Sequence, residues 1–223
     1  MPDTRKLALY EQFARIGKAL ANPARLILLD LLAQRECSVE ELAEEAGMKV
    51  GNTSAQLKVL ASAGLLATRR AGTRVFYRLA DDEVGAFVEQ VQRFAGVRMG
   101  EVERAARDYL GDVAALEPIA QDELARRLQE GDIVVVDVRP PAEYAAGHIA
   151  GAINVPHDQL RARLAELPIG ANVVAYCRSR YCVFAPEAVR LLRDHGYLAR
   201  PLDGGLPEWR RSALPIQVET VNA

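Results

Sequence analysis

Two of the three cysteines in this 223-residue chain stand five positions apart, in the stretch VVAYCRSRYCVFAPEAVRLL. An apolar run ends at Cys177, a short loop follows, and Cys182 precedes a sequence with the spacing of a helix. A loop between a strand and a helix can turn its backbone N–H groups toward one sulfur, with the helix N-terminus behind them. Such a setting favours a thiolate, so we predict that Cys177 is a nucleophile.

The residues that follow Cys177 could bind an anionic substrate. Arg178 and Arg180 carry positive charge that would attract a donor such as thiosulfate. Ser179 and Tyr181 complete the predicted substrate-binding loop. A nucleophilic thiolate beside positive charge could attack an anionic sulfur donor, become a persulfide and pass the outer sulfur to a thiol acceptor.

Cys182 has two interpretations. It lies within loop reach of a persulfide on Cys177, so it could act as a resolving or sensor thiol that releases sulfide and closes a disulfide. Alternatively, it is a small residue that packs at the start of a helix. A disulfide requires that the two Cα atoms lie within about 7 Å of each other.

The elements around this loop alternate between strands and helices. DIVVVDVR and VVAYC have the pattern of buried strands, and DELARRLQEG and EAVRLLRDHG that of helices. Such alternation is typical of a parallel sheet covered on both faces, with its site at the carboxyl ends of the strands. We predict an α/β domain over 118–217, after a linker at 111–117 and before a tail at 218–223. Asp137 and Arg139 end the first strand and are either an ion pair that supports the loop or contacts to substrate.

The first half of the chain is mainly helical. In YEQFARIGKALANPARLILLDLLAQ, apolar residues recur every three or four positions, and Asn22-Pro23 marks a helix start. Ser38 begins a capping-box pattern, and another helix is predicted at about 52–63. Two β-prone runs around Ala71-Gly72 then predict a hairpin. Together these elements indicate a winged helix-turn-helix.

Positive charge is concentrated around the helix predicted at about 52–63 and on the hairpin. Residues 49–80 include six basic residues and no acid, although the whole chain has 28 Lys and Arg against 30 Asp and Glu. This pattern favours a surface that meets DNA phosphates, with a merely solvated surface as the alternative. The residues that we predict to contact DNA are Asn52, Thr53, Ser54, Gln56 and Lys58 on the helix and Arg69, Arg70 and Arg74 on the hairpin.

Four stretches of the first half, LANPARLILLDLL, SVEELAEEAG, NTSAQLKVLASAGLL and TRRAGTRVFYRL, together resemble the ArsR/SmtB family of winged helix-turn-helix repressors. The resemblance covers roughly 8–105 of a predicted domain at 1–110. It implies a homodimer, formed through the first and last helices, that binds an inverted repeat in double-stranded operator DNA. Metal-sensing members carry paired cysteines before the recognition helix, whereas this chain has Cys37 alone and no histidine before His148. We therefore predict no metal site and no cofactor. Cys37 is either a small residue near a helix start, the interpretation that we favour, or a ligand or redox centre.

Three stretches of the second half, VVVDVRPPAEYAAGHIAGAINVP, YCRSRYC and LDGGLPEWRRSALPI, are similar in order to the signatures of the rhodanese family. The resemblance implies sulfurtransferase activity at Cys177. Related phosphatases and arsenate reductases use a loop one residue longer that ends in an arginine, where this chain has Val183. Sulfur chemistry is therefore favoured over phosphate or arsenate chemistry. Cys182 departs from the Thr or Arg found in many rhodaneses, and His148 and Trp209 are predicted to be structural.

Three functions fit these features: a repressor that responds to sulfane sulfur or redox state through Cys177, a thiosulfate or polysulfide sulfurtransferase with an accessory DNA-binding domain, and a repressor with a degenerate rhodanese module. The intact cysteine loop disfavours the third function, and the basic helix and hairpin disfavour the second. No apolar run approaches the roughly 20 residues of a membrane helix. An odd number of cysteines and the absence of a signal-like start predict a cytoplasmic protein without a disulfide framework.

Overall fold

The computed structural model describes residues 3–168 and 170–219. The chain divides into two compact units between Phe94 and Ala95, earlier than the predicted domain boundary at 110. The first unit is a winged helix-turn-helix and the second an α/β unit with a parallel sheet, which confirms the predicted fold class. Of the helices in the described part of the chain, none has both the length and the apolar character needed to cross a bilayer.

The first unit is built from helices packed on a small antiparallel sheet with strand order β1-β3-β2. Its elements are α1 (Thr4–Leu20), α2 (Pro23–Leu32), β1 (Cys37–Ser38), α3 (Val39–Glu45), α4 (Val50–Ser62), β2 (Leu66–Ala71), β3 (Arg74–Leu79) and α5 (Asp82–Arg98), the last of which ends in the second unit.

The helix boundaries in the first unit follow from capping residues. The side chain of Asn22 accepts a hydrogen bond from the backbone of Arg25 and caps α2, with Pro23 in the first turn. Ser38 and Glu41 form the predicted capping box at the start of α3. The recognition helix α4 begins two residues before the predicted start at 52.

The hydrophobic core of the first unit lies between α2, α3, α4 and the sheet. Its fully buried side chains include Leu28, Leu42, Leu57 and Leu60. The β2–β3 hairpin turns at Gly72, whose φ of 60° is accessible to glycine at little cost. The hairpin therefore projects from the core as the predicted wing.

The second unit contains a four-stranded parallel sheet with strand order β6-β4-β7-β8 and a short antiparallel pair, β5-β9. Its elements are α6 (Gly100–Leu110), α7 (Gln121–Glu130), β4 (Val134–Asp137), α8 (Pro141–Ala146), β5 (His148–Ile149), β6 (Ile153–Asn154), α9 (Leu160–Arg163), β7 (Asn172–Tyr176), α10 (Phe184–Asp194), β8 (Leu198–Pro201), α11 (Leu206–Arg211) and β9 (Ile216–Gln217).

Both faces of this sheet are buried, as the continuous apolar strands predict. Along β7, Val173 and Ala175 pack into one hydrophobic cluster, whereas Val174 and Tyr176 pack into the cluster on the opposite face. Successive side chains of a strand point to opposite faces, so a strand that is apolar at every position requires cover on both sides. The carboxyl end of β7, where Cys177 follows, thus rests on a rigid base.

The segment 111–117, predicted as a linker, is partly folded. Residues Ala114–Leu116 form a turn of 3-10 helix, and Leu116 is buried in the core of the second unit. An apolar side chain with such a core within reach packs there instead of remaining in solvent. Of the predicted tail at 218–223, Glu219 donates its backbone N–H to Ala145, and 220–223 lie outside the described residues.

Candidate functional site

The cysteine loop connects the end of β7 to the start of α10, as predicted. The sulfurs of Cys177 and Cys182 are joined in a disulfide, and their Cα atoms lie 6.2 Å apart. Within the loop, the backbone N–H of Cys182 donates to the carbonyl of Ser179 at 3.1 Å. Cys177 is fully buried in this state. The chain therefore has one disulfide, inside the loop, where the odd cysteine count predicted no disulfide framework.

A buried ion pair lies beneath the loop. Asp137 and Arg139 are fully buried, with 2.6 Å between Oδ2 and Nη2. Burial opposes the charge on Arg139, but its hydrogen bond to Asp137 and the attraction between them raise the pKa of the guanidinium above its ordinary value. Of the two predicted roles, this geometry matches the ion pair that supports the loop.

Tyr176, the residue before Cys177, is held by the same pair. Its hydroxyl donates to Oδ2 of Asp137 at 2.5 Å and accepts from the backbone N–H of Ile149 at 3.1 Å. Burial, together with the nearby carboxylate, raises the pKa of the Tyr176 hydroxyl above its ordinary value. The hydroxyl therefore stays protonated and remains a donor to Asp137.

Arg178, the residue after Cys177, is also anchored. Its Nε donates to Oε1 of Glu143 at 2.9 Å, and its Nη2 forms an ion pair with the same oxygen. Glu143 lies in the first turn of α8 and is almost completely buried. The sequence prediction included no role for Glu143, although it stands in the first rhodanese-like signature. Both neighbours of Cys177 are thus tied to buried carboxylates.

Arg180 pairs with a different carboxylate at the surface. Its Nη2 lies 3.1 Å from Oδ1 of Asp203, and both side chains are exposed. Solvent screens such a pair, which therefore contributes little to stability. The two arginines predicted to bind substrate consequently each face a carboxylate.

Gly205 supports the loop from the segment before α11. A Cβ at this position would lie 2.5 Å from the carbonyl oxygen of Arg178 and 2.7 Å from that of Cys177. The next residue, Leu206, donates its backbone N–H to the Cys177 carbonyl at 3.3 Å. Only glycine permits this approach. The Gly-Gly pair in LDGGLPEW was the sequence signal for it.

The remaining predicted residues of this unit lie at or near the loop. Ser179 and Tyr181 are half-buried within it. His148 stacks on Tyr144 with ring centroids 3.7 Å apart, and its Nδ1 lies 2.9 Å from the Tyr144 carbonyl. Trp209 is buried and donates to the Pro215 carbonyl. These contacts match the structural roles predicted for His148 and Trp209.

The prediction that Thr53 contacts DNA is wrong. Its side chain is fully buried, and its hydroxyl donates to the Lys49 carbonyl at 3.2 Å. Thr53, Leu57 and Leu60 occupy one helical face, which packs into the core. A threonine can be buried in this way when its hydroxyl donates a hydrogen bond to a backbone carbonyl one turn earlier in the helix.

The other predicted residues of α4 remain on its outer side. Asn52 and Lys58 are exposed, and Ser54 is half-buried. The amide of Gln56 is already engaged: it accepts from Nη1 of Arg25 at 2.8 Å and donates to Oδ1 of Asn52 at 3.2 Å. Asn52 and Lys58 are therefore the most accessible of the set.

The wing presents its arginines unequally. Arg69 forms an ion pair with Glu36 at 2.7 Å and lies over the ring of Phe76. Arg70 and Arg74 are exposed on either side of the hairpin turn, and neither pairs with another group in the described part of the chain. Arg70 and Arg74 are therefore the wing cations most available to a phosphate.

Cys37 is buried in β1, opposite Tyr77 in the sheet, and is not part of the disulfide. Its Sγ lies 3.7 Å from the carbonyl of Arg35. Among residues 3–168 and 170–219, no group of three or more His, Cys, Asp or Glu side chains is arranged to hold a metal ion.

Comparison with known families divides the chain in the same way. Residues 22–68 match the family described as bacterial regulatory protein, arsR family, and residues 120–212 match the rhodanese-like domain. Over 212 residues the chain is 49% identical to the HTH-type transcriptional regulator Rv0324 of Mycobacterium tuberculosis, covering 95% of this chain and 93% of that protein.

Two further relatives each match one half. A sulfurtransferase of Allochromatium vinosum is 35% identical over 99 residues, which cover 44% of this chain and 92% of that protein. The solution structure of the homodimeric winged helix-turn-helix DNA-binding domain of Mb0332 from Mycobacterium bovis, a possible ArsR-family transcriptional regulator, is 46% identical. That match covers 44% of this chain and 92% of that one, with a TM-score of 0.41.

Proposed function

Because the chain belongs to the ArsR family of bacterial transcriptional regulators and carries a C-terminal rhodanese-like domain, we propose that it is a repressor whose affinity for operator DNA depends on the sulfur state of Cys177. The observation that carries this proposal is the pairing of Cys177 with Cys182 in one loop. Such a regulator acts on DNA in the cytoplasm, where thiols are kept reduced until a donor arrives.

The proposed chemistry has two steps. In the reduced protein, the thiolate of Cys177 attacks the outer sulfur of a donor RS–SH, which forms Cys177–S–SH and releases RS⁻. The thiolate of Cys182 then attacks the inner sulfur of that persulfide, so a disulfide forms and HS⁻ leaves. The donor's sulfane sulfur is the oxidant and departs as sulfide. The Cα separation of 6.2 Å lets the second step occur within the loop.

We infer that the active species is a homodimer. Phe87, Val91 and Phe94 are exposed on one face of α5, and Leu9 and Phe13 are exposed on α1. Contiguous exposed apolar side chains mark interaction surfaces. The relative from M. bovis, 46% identical, is itself described as homodimeric. A dimer places two α4 helices on the two halves of an inverted repeat.

The helix that follows the loop supports a route from the cysteines toward the rest of the chain. Arg190 on α10 donates from Nη2 to the carbonyl of Leu110, at the end of α6. Its guanidinium lies so close to Gly111 that a Cβ there would be 2.5 Å from Nη2. Arg193, one turn later, donates to the Leu116 carbonyl at 2.9 Å. We call these two residues the arginine clamp.

A change in the loop would therefore act on α10 and, through the arginine clamp, on the segment that follows α6. Closing the disulfide moves Cys182, two residues before the start of α10, toward Cys177. A tenfold change in operator affinity requires a coupling free energy of only about 1.4 kcal/mol, which is ordinary for two linked sites.

The direct test is DNA binding by the wild-type protein with and without polysulfide. The probe is a fluorescent duplex selected from a random pool by the reduced protein, and the measurement is anisotropy. We expect polysulfide to lower the affinity about tenfold or more. The Cys182→Ser variant should keep the persulfide on Cys177, which mass spectrometry detects, but it should release DNA less completely than the wild type. Unchanged wild-type affinity despite a complete persulfide or disulfide would refute the proposal.

The arginine clamp gives a second prediction. Arg190→Met together with Arg193→Met should leave persulfide formation on Cys177 intact, because neither residue contacts the loop cysteines. In this double variant, polysulfide should lower the affinity for DNA little or not at all. Arg161→Met on α9, which is exposed, is the matched control and should respond like the wild type. A full response in the double variant would exclude the clamp as the route.

The second candidate function is a sulfurtransferase with an accessory DNA-binding domain. The intact loop and the 35% identity to a sulfurtransferase favour it. The two functions differ in turnover. An enzyme passes many equivalents of sulfur to a thiol acceptor, whereas a regulator needs about one equivalent per loop. Measuring sulfide released per protein under excess thiol separates them.

A further inference from the structure

We propose that the donor recognised by Cys177 is an organic persulfide whose carbon body carries no net negative charge, and that this body binds in an apolar groove beside the loop. The inference rests on the proposed persulfide chemistry of Cys177 and narrows its donor. It also disfavours thiosulfate, the anion for which the two loop arginines suggest a site.

The charges around the loop are balanced. Arg139 pairs with Asp137, Arg178 with Glu143, and Arg180 with Asp203. A dianion such as thiosulfate requires cations that are not already neutralised by carboxylates. Withdrawing Arg178 to meet an anion would leave the buried Glu143 with the more distant guanidinium of Arg139, whose Nη1 lies 3.9 Å from Oε2 and which already pairs with Asp137. The loop amides and the N-terminus of α10 remain to stabilise a single negative sulfur.

A groove of about 410 Å³ adjoins the loop at the carboxyl ends of β4 and β6. Val138 belongs to its wall and donates its backbone N–H to the carbonyl of Tyr176, the residue before Cys177. Phe184, the first residue of α10, forms another part of the wall. The full lining is Val138, Pro140, Pro141, Pro156, His157, Asp158, Gln159 and Phe184. This volume lies in the range of small-molecule sites.

The polar groups of the groove disfavour anions. His157 stacks on Phe184 with ring centroids 4.8 Å apart, and its Nε2 lies 2.9 Å from Oε2 of Glu187. Asp158, which belongs to the lining, is an exposed carboxylate. A carboxylate beside an apolar wall would repel a thiosulfate or dicarboxylate donor. A carbon body without negative charge meets no such repulsion and gains from burial against proline and phenylalanine.

In this arrangement the two parts of the donor separate at the sulfur–sulfur bond. The outer sulfur, with its hydrogen, becomes bonded to Cys177. The carbon body keeps the inner sulfur when the bond breaks. It then departs from the groove as the thiolate RS⁻, which takes a proton from solvent. The sulfane sulfur is not released until Cys182 displaces it as sulfide.

The test compares three donors on the reduced full-length protein: thiosulfate, the persulfide of 2-mercaptoethanol and the persulfide of mercaptosuccinate. The rate of persulfide formation on Cys177 is followed by intact-protein mass spectrometry. Each rate is divided by the rate of the same donor with free cysteine, so that intrinsic reactivity cancels. We expect the persulfide of 2-mercaptoethanol, whose carbon body is uncharged, to be favoured over thiosulfate and the persulfide of mercaptosuccinate by about tenfold or more.

Two variants locate the preference. Phe184→Ala removes part of the groove wall and should slow the neutral persulfide while changing the thiosulfate rate little. Asp203→Asn removes the partner of Arg180 and should shift the ratio toward thiosulfate. Leu198→Ala, exposed at the start of β8, is the control and should change no rate.

The outcomes separate this inference from the proposed function. If thiosulfate matches the neutral persulfide after normalisation, or if Phe184→Ala slows all donors equally, the inference is wrong while the persulfide chemistry stands. If no donor modifies Cys177, the proposed function itself fails, and the inference fails with it.

Discussion

Replacing Cys177 by serine is expected to abolish persulfide formation and to keep the protein on its DNA in the presence of polysulfide. Cys177 is the buried cysteine at the end of β7, and both of its neighbours are anchored to carboxylates. A serine hydroxyl fits the same space but is a far weaker nucleophile at neutral pH. Without the first sulfur, Cys182 has no persulfide to resolve.

The measurement combines mass spectrometry of the loop peptide with anisotropy of the DNA probe. Wild-type affinity should fall about tenfold with polysulfide, which corresponds to about 1.4 kcal/mol of coupling, whereas Cys177→Ser should lose none. Cys37→Ser is the matched control, because Cys37 is a buried thiol in the other unit and should not affect labelling. If Cys177→Ser still releases DNA, the sensor lies elsewhere and Cys37 is the next candidate.

Most of the fold could be predicted from local patterns. The capping box of Ser38, the helix start at Asn22-Pro23 and the hairpin glycine are local features that retain their meaning in the folded chain. The apolar strands predicted a sheet covered on both faces, because a strand with apolar residues at every position cannot expose either face. The spacing of Cys177 and Cys182 also predicted their proximity.

The charge balance of the site could not be predicted in this way. Glu143 precedes Arg178 by 35 positions in the chain, and Asp203 follows Arg180 by 23. Nothing local in the sequence RSR shows that each arginine meets a carboxylate, so the sequence indicates more free positive charge than the folded loop carries. Only the topology of the sheet brings these partners together.

The error at Thr53 has a different origin. Residue type alone places Thr53 with its polar neighbours, although its helical register with Leu57 and Leu60 puts it on the buried face. The position of a threonine on the helix decides whether it is buried, more than its polarity does, when its hydroxyl can donate to the backbone of its own helix. The register of α4 therefore predicts more about DNA contacts than its composition does.

The second large effect is expected at the wing. Arg70→Ala together with Arg74→Ala should weaken binding to all duplexes and flatten its dependence on salt. Each phosphate contact contributes about 0.9 to the slope of log affinity against log salt, so up to four lost contacts in a dimer would lower the slope by roughly 3 to 4. Anisotropy titrations over a series of salt concentrations measure this slope directly.

Arg69→Ala is the matched control in the same hairpin. Its guanidinium is already paired with Glu36 and lies over Phe76, so it has less charge to offer a phosphate. We expect the single change to lower the slope by less than about 1 per subunit. Lys58→Ala on α4 should also lower the slope, whereas Asn52→Ala should alter sequence preference, because an amide reads base edges. An unchanged slope in the Arg70 and Arg74 variant would mean that the wing does not contact the DNA backbone, and the basic surface would then be confined to α4.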